Sequence, residues 1–116
     1  MIKYYLIIYC ILSSLLITPV NAQPIQGQEL YNYFEEYLKF QNEYNGNEIK
    51  AGMFLGYVRG ILDALEGTAF CIPNNIPISQ LIPQVVKYLY EHSRSQSLAA
   101  RNLILESLRG QFKCRD

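Results

Sequence analysis

Side chains that could do chemistry are few in this sequence. Its 116 residues contain one histidine, His92, and three cysteines, Cys10, Cys71 and Cys114. A hydrolase needs a nucleophile with a base beside it, or a base together with a metal ion. One histidine supplies a single base of that kind, and an oxidised cysteine supplies no thiolate nucleophile. The composition therefore argues against an enzyme.

The other candidates for acid–base chemistry have simpler explanations. Glu35, Glu36 and Glu43 fall on the polar half of a predicted amphipathic helix, where carboxylates are ordinarily solvated. His92 is predicted in the last turn of another helix, where an imidazole bonds the terminal carbonyls and interacts favourably with the helix dipole. No HExxH, GxSxG, phosphate-binding glycine loop or EF-hand pattern occurs in the sequence. We predict no enzymatic activity, no cofactor and no metal site, with catalysis by His92 as a minor alternative.

Length and charge narrow the class of protein further. A chain of 116 residues supports one domain with one core. Ten basic and ten acidic residues give no net charge, which removes the usual electrostatic argument for a nucleic-acid or anionic-membrane partner. The composition therefore indicates a small single domain and gives no electrostatic reason to expect nucleic acid or an anionic membrane as its partner.

Residues 1–22 have the pattern of a secretory signal peptide. Lys3 supplies an early positive charge, and the apolar run after it ends before Pro19 and the triplet Val20-Asn21-Ala22. The run has about 14 residues, fewer than the roughly 18 of a membrane-spanning helix. We predict cleavage between Ala22 and Gln23, which leaves residues 23–116 as an exported domain without a stable membrane anchor. An uncleaved anchor is the alternative.

Export also predicts the state of the cysteines. Cys10 lies in the apolar run and leaves with the signal peptide. Cys71 and Cys114 then remain in an oxidising compartment, where such a pair is expected to form a disulfide. Closing so long a loop stabilises the fold by about 4 kcal/mol in the chain-entropy model. A redox-active or metal-binding pair would require CxxC-type proximity, which these two cysteines lack in sequence.

Hydrophobic periodicity predicts four helices, and hence a small all-α, four-helix domain with one disulfide. The first helix separates apolar and polar residues into two halves. The second begins at an Asn47 cap and stops at Gly67, and the third begins at a Ser79 cap. The predicted spans are about 28–41, 47–66, from 79 to the turn that contains residue 92, and about 98–112.

The second predicted helix carries small residues at every fourth position. Each interior glycine costs roughly 1 kcal/mol relative to alanine, a cost that close approach of another backbone offsets. We predict that a neighbouring helix packs tightly on this strip, which consists of Gly52, Gly56, Gly60 and Ala64. Arg59 and Asp63 are spaced for an i,i+4 ion pair. Arg101 falls in the apolar arc of the fourth helix, either at its rim or presented to a partner protein.

A series of short motifs resembles the type VI secretion amidase immunity proteins, the Rap/Tai group. In chain order they are Gly56-Tyr57-Val58-Arg59-Gly60, Asp63-Ala64, Phe70-Cys71-Ile72-Pro73, Val85-Val86-Lys87-Tyr88-Leu89, His92 and Phe112-Lys113-Cys114. The resemblance covers most of the exported domain except the first helix. Ser93 departs from the family pattern, because many relatives carry proline after the histidine, and this leaves the conformation of the 92–97 loop open.

The resemblance implies a periplasmic, disulfide-linked, all-helical homodimer. Such a protein binds a peptidoglycan amidase toxin, a cysteine hydrolase, and occludes its active-site cleft. Family members use the third helix and the adjacent loop as a plug, which on this chain gives Gln84, Lys87, Glu91, His92, Arg94 and Gln96. The broad apolar arc of the first helix is predicted to leave surface for the dimer. The alternative is an exported helical protein of the same family with a structural or stress role and no cognate toxin.

Overall fold

The computed structural model describes residues 1–14, 18–19, 23–43 and 45–115, and the regular structure in these ranges is helical. Its elements, in chain order, are α1 (Ile2–Ser14), α2 (Gly27–Glu43), α3 (Glu48–Leu65), a 3-10 turn (Ile78–Gln80), α4 (Ile82–Glu91) and α5 (Ala100–Arg109). Helices α2 to α5 are the four predicted helices, and α1 lies within residues 1–22, the segment predicted to be a signal peptide. The predicted all-α class is confirmed, with five described α-helices instead of four.

Helix α1 contributes no buried residue to the domain. Across the described ranges, no helix combines the length and the apolar character needed to cross a membrane. Of the two residues at the predicted cleavage site, Ala22 lies outside the described residues and Gln23 is exposed. Signal cleavage therefore stays a prediction.

Helices α2 and α3 pack their apolar sides against each other and form the centre of the core. Phe34 of α2 and Phe54 of α3 are buried with their ring centroids 5.3 Å apart. Tyr37 and Leu38, the outer part of the α2 arc, are half-buried against the same core. The chain's own core therefore uses much of this arc and leaves only its half-buried outer residues open, so the dimer surface on α2 stays a prediction.

Both ends of α3 follow from local sequence. The Asn47 side chain accepts a hydrogen bond from the Lys50 amide at 3.0 Å, which satisfies one of the free donors of the first turn. After the helix, Gly67 adopts a φ of 86°, a conformation that other residues rarely adopt. The predicted cap and the predicted stop are confirmed.

The start of α4 differs from the prediction. Ser79 lies inside the 3-10 turn, and the N-cap position belongs to Leu81, which makes no side-chain capping bond. Pro83 occupies the first turn of α4, where its missing N–H leaves no helical bond unmade. The predicted Ser79 cap is wrong because the 3-10 turn comes between this serine and the helix.

Helix α5 is shorter than predicted at both ends. Its first residue is Ala100, because the preceding residues pair with the segment before α2. The Ala100 amide donates to the Ile25 carbonyl at 3.1 Å, and the Gly27 amide donates to the Leu98 carbonyl at 2.8 Å. The chain before α2 and the chain before α5 are thus joined side by side.

The predicted disulfide is confirmed. Cys71 and Cys114 are bonded across 43 positions of sequence, with their Cα atoms 4.8 Å apart. The Cys71 amide also donates to the Phe112 carbonyl at 2.8 Å, and the Phe112 ring is buried. The bond therefore fastens the segment after α5 to the crossover that follows α3.

The small-residue strip of α3 has no neighbour within the described chain. Gly52, Gly56, Gly60 and Ala64 are exposed, and a Cβ atom built at any of the three glycines meets no described atom within 4 Å. The prediction that another helix of this chain packs on the strip is wrong, because α3 turns its opposite side to the core.

Arg59, Asp63 and Arg101 are all exposed. The ion pairs among the described residues are Lys39–Glu36 and Arg109–Glu106, so the predicted i,i+4 pair between Arg59 and Asp63 is not formed there. Arg101 is exposed, because its position in α5 lies at the edge of the apolar side and its long side chain reaches solvent.

Candidate functional site

The six predicted partner-binding residues follow α4 and the loop after it. Their spacing places Gln84, Lys87 and Glu91 along one side of α4, while His92 ends the helix and Arg94 and Gln96 lie in the loop. Lys87, Glu91, His92 and Arg94 are exposed, and Gln84 and Gln96 are half-buried. The six residues therefore follow one another along α4 and the loop after it, and the charged ones among them are exposed to solvent.

Gln84 is the least accessible of the six. Its Oε1 atom is buried and accepts no hydrogen bond from any described residue. A buried acceptor without a donor lowers stability. Gln84 therefore suits a role in direct contact less well than Lys87 or Glu91 does.

His92 closes α4 in the way that its position predicts. Its Nδ1 lies 2.8 Å from the Tyr88 carbonyl oxygen, and its ring stacks on the Tyr88 ring at a centroid distance of 3.9 Å. Since a carbonyl can only accept, a hydrogen bond at this distance places a proton on Nδ1. Burial, and secondarily the Glu106 carboxylate, raises the pKa of Tyr88, so the ring beneath His92 stays neutral.

Tyr31 of α2 holds the end of α4 in place. The residue is only 4% exposed, and its hydroxyl oxygen lies 2.8 Å from the Leu89 carbonyl and 2.7 Å from the His92 carbonyl. The hydroxyl has one hydrogen, so the two acceptors share it. Burial, with Tyr88 as a smaller cause, raises the pKa of Tyr31 and keeps this donor protonated. Tyr31 therefore acts as a positioning residue for the predicted plug.

Tyr31 was not predicted as a site residue, because a helical wheel counts tyrosine with the apolar residues. A signal was available, since a tyrosine in the middle of an apolar arc must find a partner for its hydroxyl. Its acceptors lie 58 and 61 positions further along the chain, however, and nothing local identifies them.

Gly27 fixes the far end of the same loop. A Cβ atom at this position would lie 2.5 Å from the Leu98 carbonyl oxygen and 2.6 Å from the Gln96 carbonyl oxygen. Only glycine leaves room for a backbone approach this close. Within the loop, the Ser95 amide donates to the His92 carbonyl at 2.9 Å. The 92–97 segment is therefore held at both ends and crossed by an internal turn, although Ser93 stands where the family pattern has proline.

Two adjoining depressions lie between α2 and the end of α4. The larger, of about 510 Å³, is lined by Gln26, Gln28, Glu29, Tyr31, Asn32, Glu35 and Gln96. The second, of about 430 Å³, shares Tyr31, Glu35 and Gln96 and adds Phe34, Leu38, Leu89, Tyr90 and Ser93. We call the two together the α2–α4 trough. It brings Gln96 together with residues of α2 that the sequence analysis had treated as an ordinary solvated face.

The trough is acidic at one end and aromatic at the other. Glu29 and Glu35 line it, and no lysine or arginine is among the lining residues. The Tyr33 hydroxyl donates to the Glu29 carboxylate, which fixes this carboxylate and raises the pKa of Tyr33. Tyr90 is 73% exposed at the aromatic end. A large exposed tyrosine beside a depression is typical of a protein-binding surface.

The described residues do not form a recognisable catalytic or metal centre. Within those ranges there is no group of three or more histidine, cysteine, aspartate or glutamate residues that could hold a metal ion. His92 bonds a helix-end carbonyl, and Cys71 and Cys114 are oxidised. What the described surface offers is a polar path, a depression and an exposed aromatic ring, features that are typical of a protein-binding surface.

Comparison with known proteins identifies the family. The sequence model of the Rap1a immunity proteins matches residues 26–114, most of the chain, and the chain belongs to this family. No curated protein gives a significant match. Family membership confirms the resemblance to the Rap/Tai group and indicates an immunity function against a type VI secretion effector. The matched range includes α2, which the sequence motifs had left unaccounted for.

Proposed function

We propose that this protein is a periplasmic immunity protein that binds a peptidoglycan amidase effector of type VI secretion and covers its active-site cleft. The observation that carries the proposal is the fixation of the 92–97 loop by Tyr31 and Gly27, next to exposed Tyr90. An inhibitor that plugs a cleft must present a segment whose ordering cost is already met in the free protein. The contacts of Tyr31 and Gly27 support this, because they order the 92–97 loop in the free chain.

The chemistry of the surface fits steric occlusion. Lys87, Glu91 and Arg94 are exposed charged groups beside a polar loop, and such groups set orientation and association rate more than affinity. Tyr90 is the large side chain able to act as an anchor at this surface. His92 is exposed and uses Nδ1 within the chain, which leaves Nε2 to hydrogen-bond a partner. The protein would thus act by binding alone, without catalysis of its own.

The proposal includes export and a homodimer, in line with the family resemblance. The family is typical of the periplasm, and the disulfide between Cys71 and Cys114 is the state expected in an oxidising compartment. Amidases of this class use a cysteine and a histidine, so the cleft to be covered contains a thiolate nucleophile and its base.

The experiment is a capture from periplasmic extract. The full chain is expressed with its leader, recovered from the periplasm, immobilised and exposed to extract in which candidate hydrolases have been detected. We expect a peptidoglycan hydrolase at near-equal stoichiometry, together with loss of its activity on purified peptidoglycan. Recovery of the bait alone would contradict the proposal and favour a structural or stress role within the same family.

Matched variants locate the surface. Tyr90→Ala and Lys87→Glu are expected to weaken capture, and Tyr90→Ala by about 30-fold if Tyr90 is a hot spot worth about 2 kcal/mol. Lys113→Glu makes the same charge change at another exposed lysine near the C-terminus and is expected to leave capture unchanged. Equal effects of Lys87→Glu and Lys113→Glu would show that the α4 surface is not the binding site.

A further inference from the structure

Glu35 belongs to both depressions of the α2–α4 trough. The residue is exposed, and its carboxylate forms no ion pair with a described residue. Gln28 and Asn32 lie on the same side of α2, by their helical spacing, and both line the larger depression. Glu35 therefore presents an unpaired negative charge where the two parts of the trough meet.

Tyr90 adds an aromatic ring to the same trough. It lines the smaller depression together with Glu35, and it is 73% exposed. The face of an aromatic ring carries partial negative charge and attracts cations, the guanidinium of arginine more often than the ammonium of lysine. The carboxylate and the exposed ring thus favour a positively charged occupant through two different interactions.

The remaining polar side chains of the trough agree with this preference. The amide side chains of Asn32 and Gln96 carry carbonyl oxygens that accept hydrogen bonds from a cation. No described lysine or arginine lines either depression. The Lys50 ammonium reaches the rim, where it donates to the Asn32 Oδ1 atom at 3.4 Å, but it forms no ion pair with Glu35. The described chain therefore supplies no cation that neutralises Glu35 in the trough.

The trough lies directly beside the proposed plug. Gln96 lines both depressions and belongs to the 92–97 loop, and Ser93 of the same loop lines the smaller one. When a loop enters a cleft, the rim of that cleft comes to lie on the surface next to the loop. An effector whose cleft receives the 92–97 loop would therefore lay its rim over the trough.

We infer that the α2–α4 trough receives an arginine side chain from the rim of the effector's cleft, with the guanidinium beside Glu35 and against the Tyr90 ring. Arginine suits these groups because its planar guanidinium bonds a carboxylate through two N–H groups and also stacks on aromatic rings. The inference rests on the proposed function and adds the chemistry of the partner at this surface. It makes Glu35, on the predicted solvated side of α2, a residue that determines specificity.

A pair of small compounds tests the site without the effector. N-acetyl-arginine methylamide and its citrulline counterpart have nearly the same shape, but only the arginine compound is charged. Each is titrated into isotopically labelled, oxidised protein, and the amide resonances are followed by NMR. We expect the arginine compound to shift the resonances of Glu35, Tyr90 and Gln96, and the citrulline compound to leave them unchanged.

Matched carboxylate variants locate the binding of the arginine compound. Glu35→Gln removes the charge and keeps the size of the side chain, and the shifts at Tyr90 and Gln96 are expected to be lost. Asp63→Asn makes the same change at an exposed aspartate outside the trough, and the shifts are expected to persist. Circular dichroism of both variants is expected to match wild type, because neither carboxylate has a described ion-pair partner.

The captured effector tests the same contact in the complex. Glu35→Gln is expected to weaken binding about tenfold at low salt, and by less at high salt because salt screens exposed charges. Asp63→Asn is expected to stay within about twofold of wild type. In a Tyr90→Ala background, Glu35→Gln is expected to have little further effect, since the two residues hold the same side chain.

Equal shifts with the arginine and citrulline compounds would overturn the inference. So would an absence of shifts with the arginine compound, shifts that persist in Glu35→Gln, or an effector that binds Glu35→Gln as tightly as wild type. If no effector is captured, the proposed function fails, but the titration with the arginine compound still decides whether the trough binds a guanidinium. The two failures therefore give different results.

Discussion

Tyr31→Phe tests whether α2 positions the end of α4. The change removes one hydroxyl and leaves the ring, so packing is kept and only the hydrogen bonds to the Leu89 and His92 carbonyls are lost. The His92 carbonyl keeps another donor, the Ser95 amide at 2.9 Å. For the buried Leu89 carbonyl, no other donor outside the helix is described.

The size of the effect follows from that difference. The His92 carbonyl keeps a donor, so loss of the Tyr31 hydroxyl there lowers the free energy of unfolding little. A buried carbonyl left without a donor, as at Leu89, lowers it by about 1–3 kcal/mol. We therefore expect Tyr31→Phe to lower the free energy of unfolding by about 2 kcal/mol. For a domain of this size, such a loss corresponds to a decrease in Tm of roughly 8–16 °C.

The assay combines chemical denaturation with hydrogen exchange of the native protein. Exchange is expected to accelerate at the Ser95 and Leu98 amides, which close turns inside the loop, before it accelerates in α3. Tyr90→Phe is the matched control, because Tyr90 is exposed and its hydroxyl makes no described hydrogen bond; we expect it to change stability by less than about 0.5 kcal/mol. Equal stability of the two variants, or unchanged exchange in the loop, would refute the positioning role of Tyr31.

Three further predictions concern the same framework. Gly27→Ala is expected to destabilise the protein and raise exchange throughout the 92–97 loop, because its Cβ would lie 2.5 Å from a backbone carbonyl oxygen; wild-type exchange would contradict this. Cys71→Ser is expected to cost about 4 kcal/mol in oxidising buffer, and the same melting curve with and without reductant for wild type would contradict a stabilising disulfide. The amide of Asn47, and then Lys39, hold the pKa of Glu36 below its usual value, so this group contributes stability above the unfolded pKa that is lost as the pH falls through the lower folded pKa. Glu36→Gln should flatten the acid limb of stability below about pH 4.5, and an acid limb equal to that of wild type would contradict this.

Local features of the sequence predicted most of the fold. The Asn47 cap, the Gly67 stop and the apolar spacing of α2 depend on residues within one or two turns of one another, so the sequence pattern contains them. The disulfide was predictable for another reason, since the predicted export and loss of Cys10 leave only one pairing, Cys71 with Cys114. The predicted Ser79 cap was wrong because a 3-10 turn and a helix begin with similar signals, and only the packing of Leu81 in the core decides between them.

The candidate site was less predictable because it is built from distant segments. Gly27 and Leu98 meet through a pairing of the chain before α2 with the chain before α5, and neither segment has a strand pattern of its own. The small-residue strip on α3 shows the same limit in another form. Its spacing predicted a neighbouring helix, but the strip is exposed within the described chain, because a small-residue spacing does not show which side of a helix faces the core.

Helix α2 contributes to both the core and the candidate binding surface. Helix α2 packs one side on the core face of α3 and lines the α2–α4 trough with its polar side. The trough, Tyr90 and the 92–97 loop all belong to one chain, so each copy presents a whole candidate surface. The stoichiometry expected of the complex is therefore one effector per chain. A complex with one effector for two chains would contradict this, because it would show that the binding surface needs residues of a second copy.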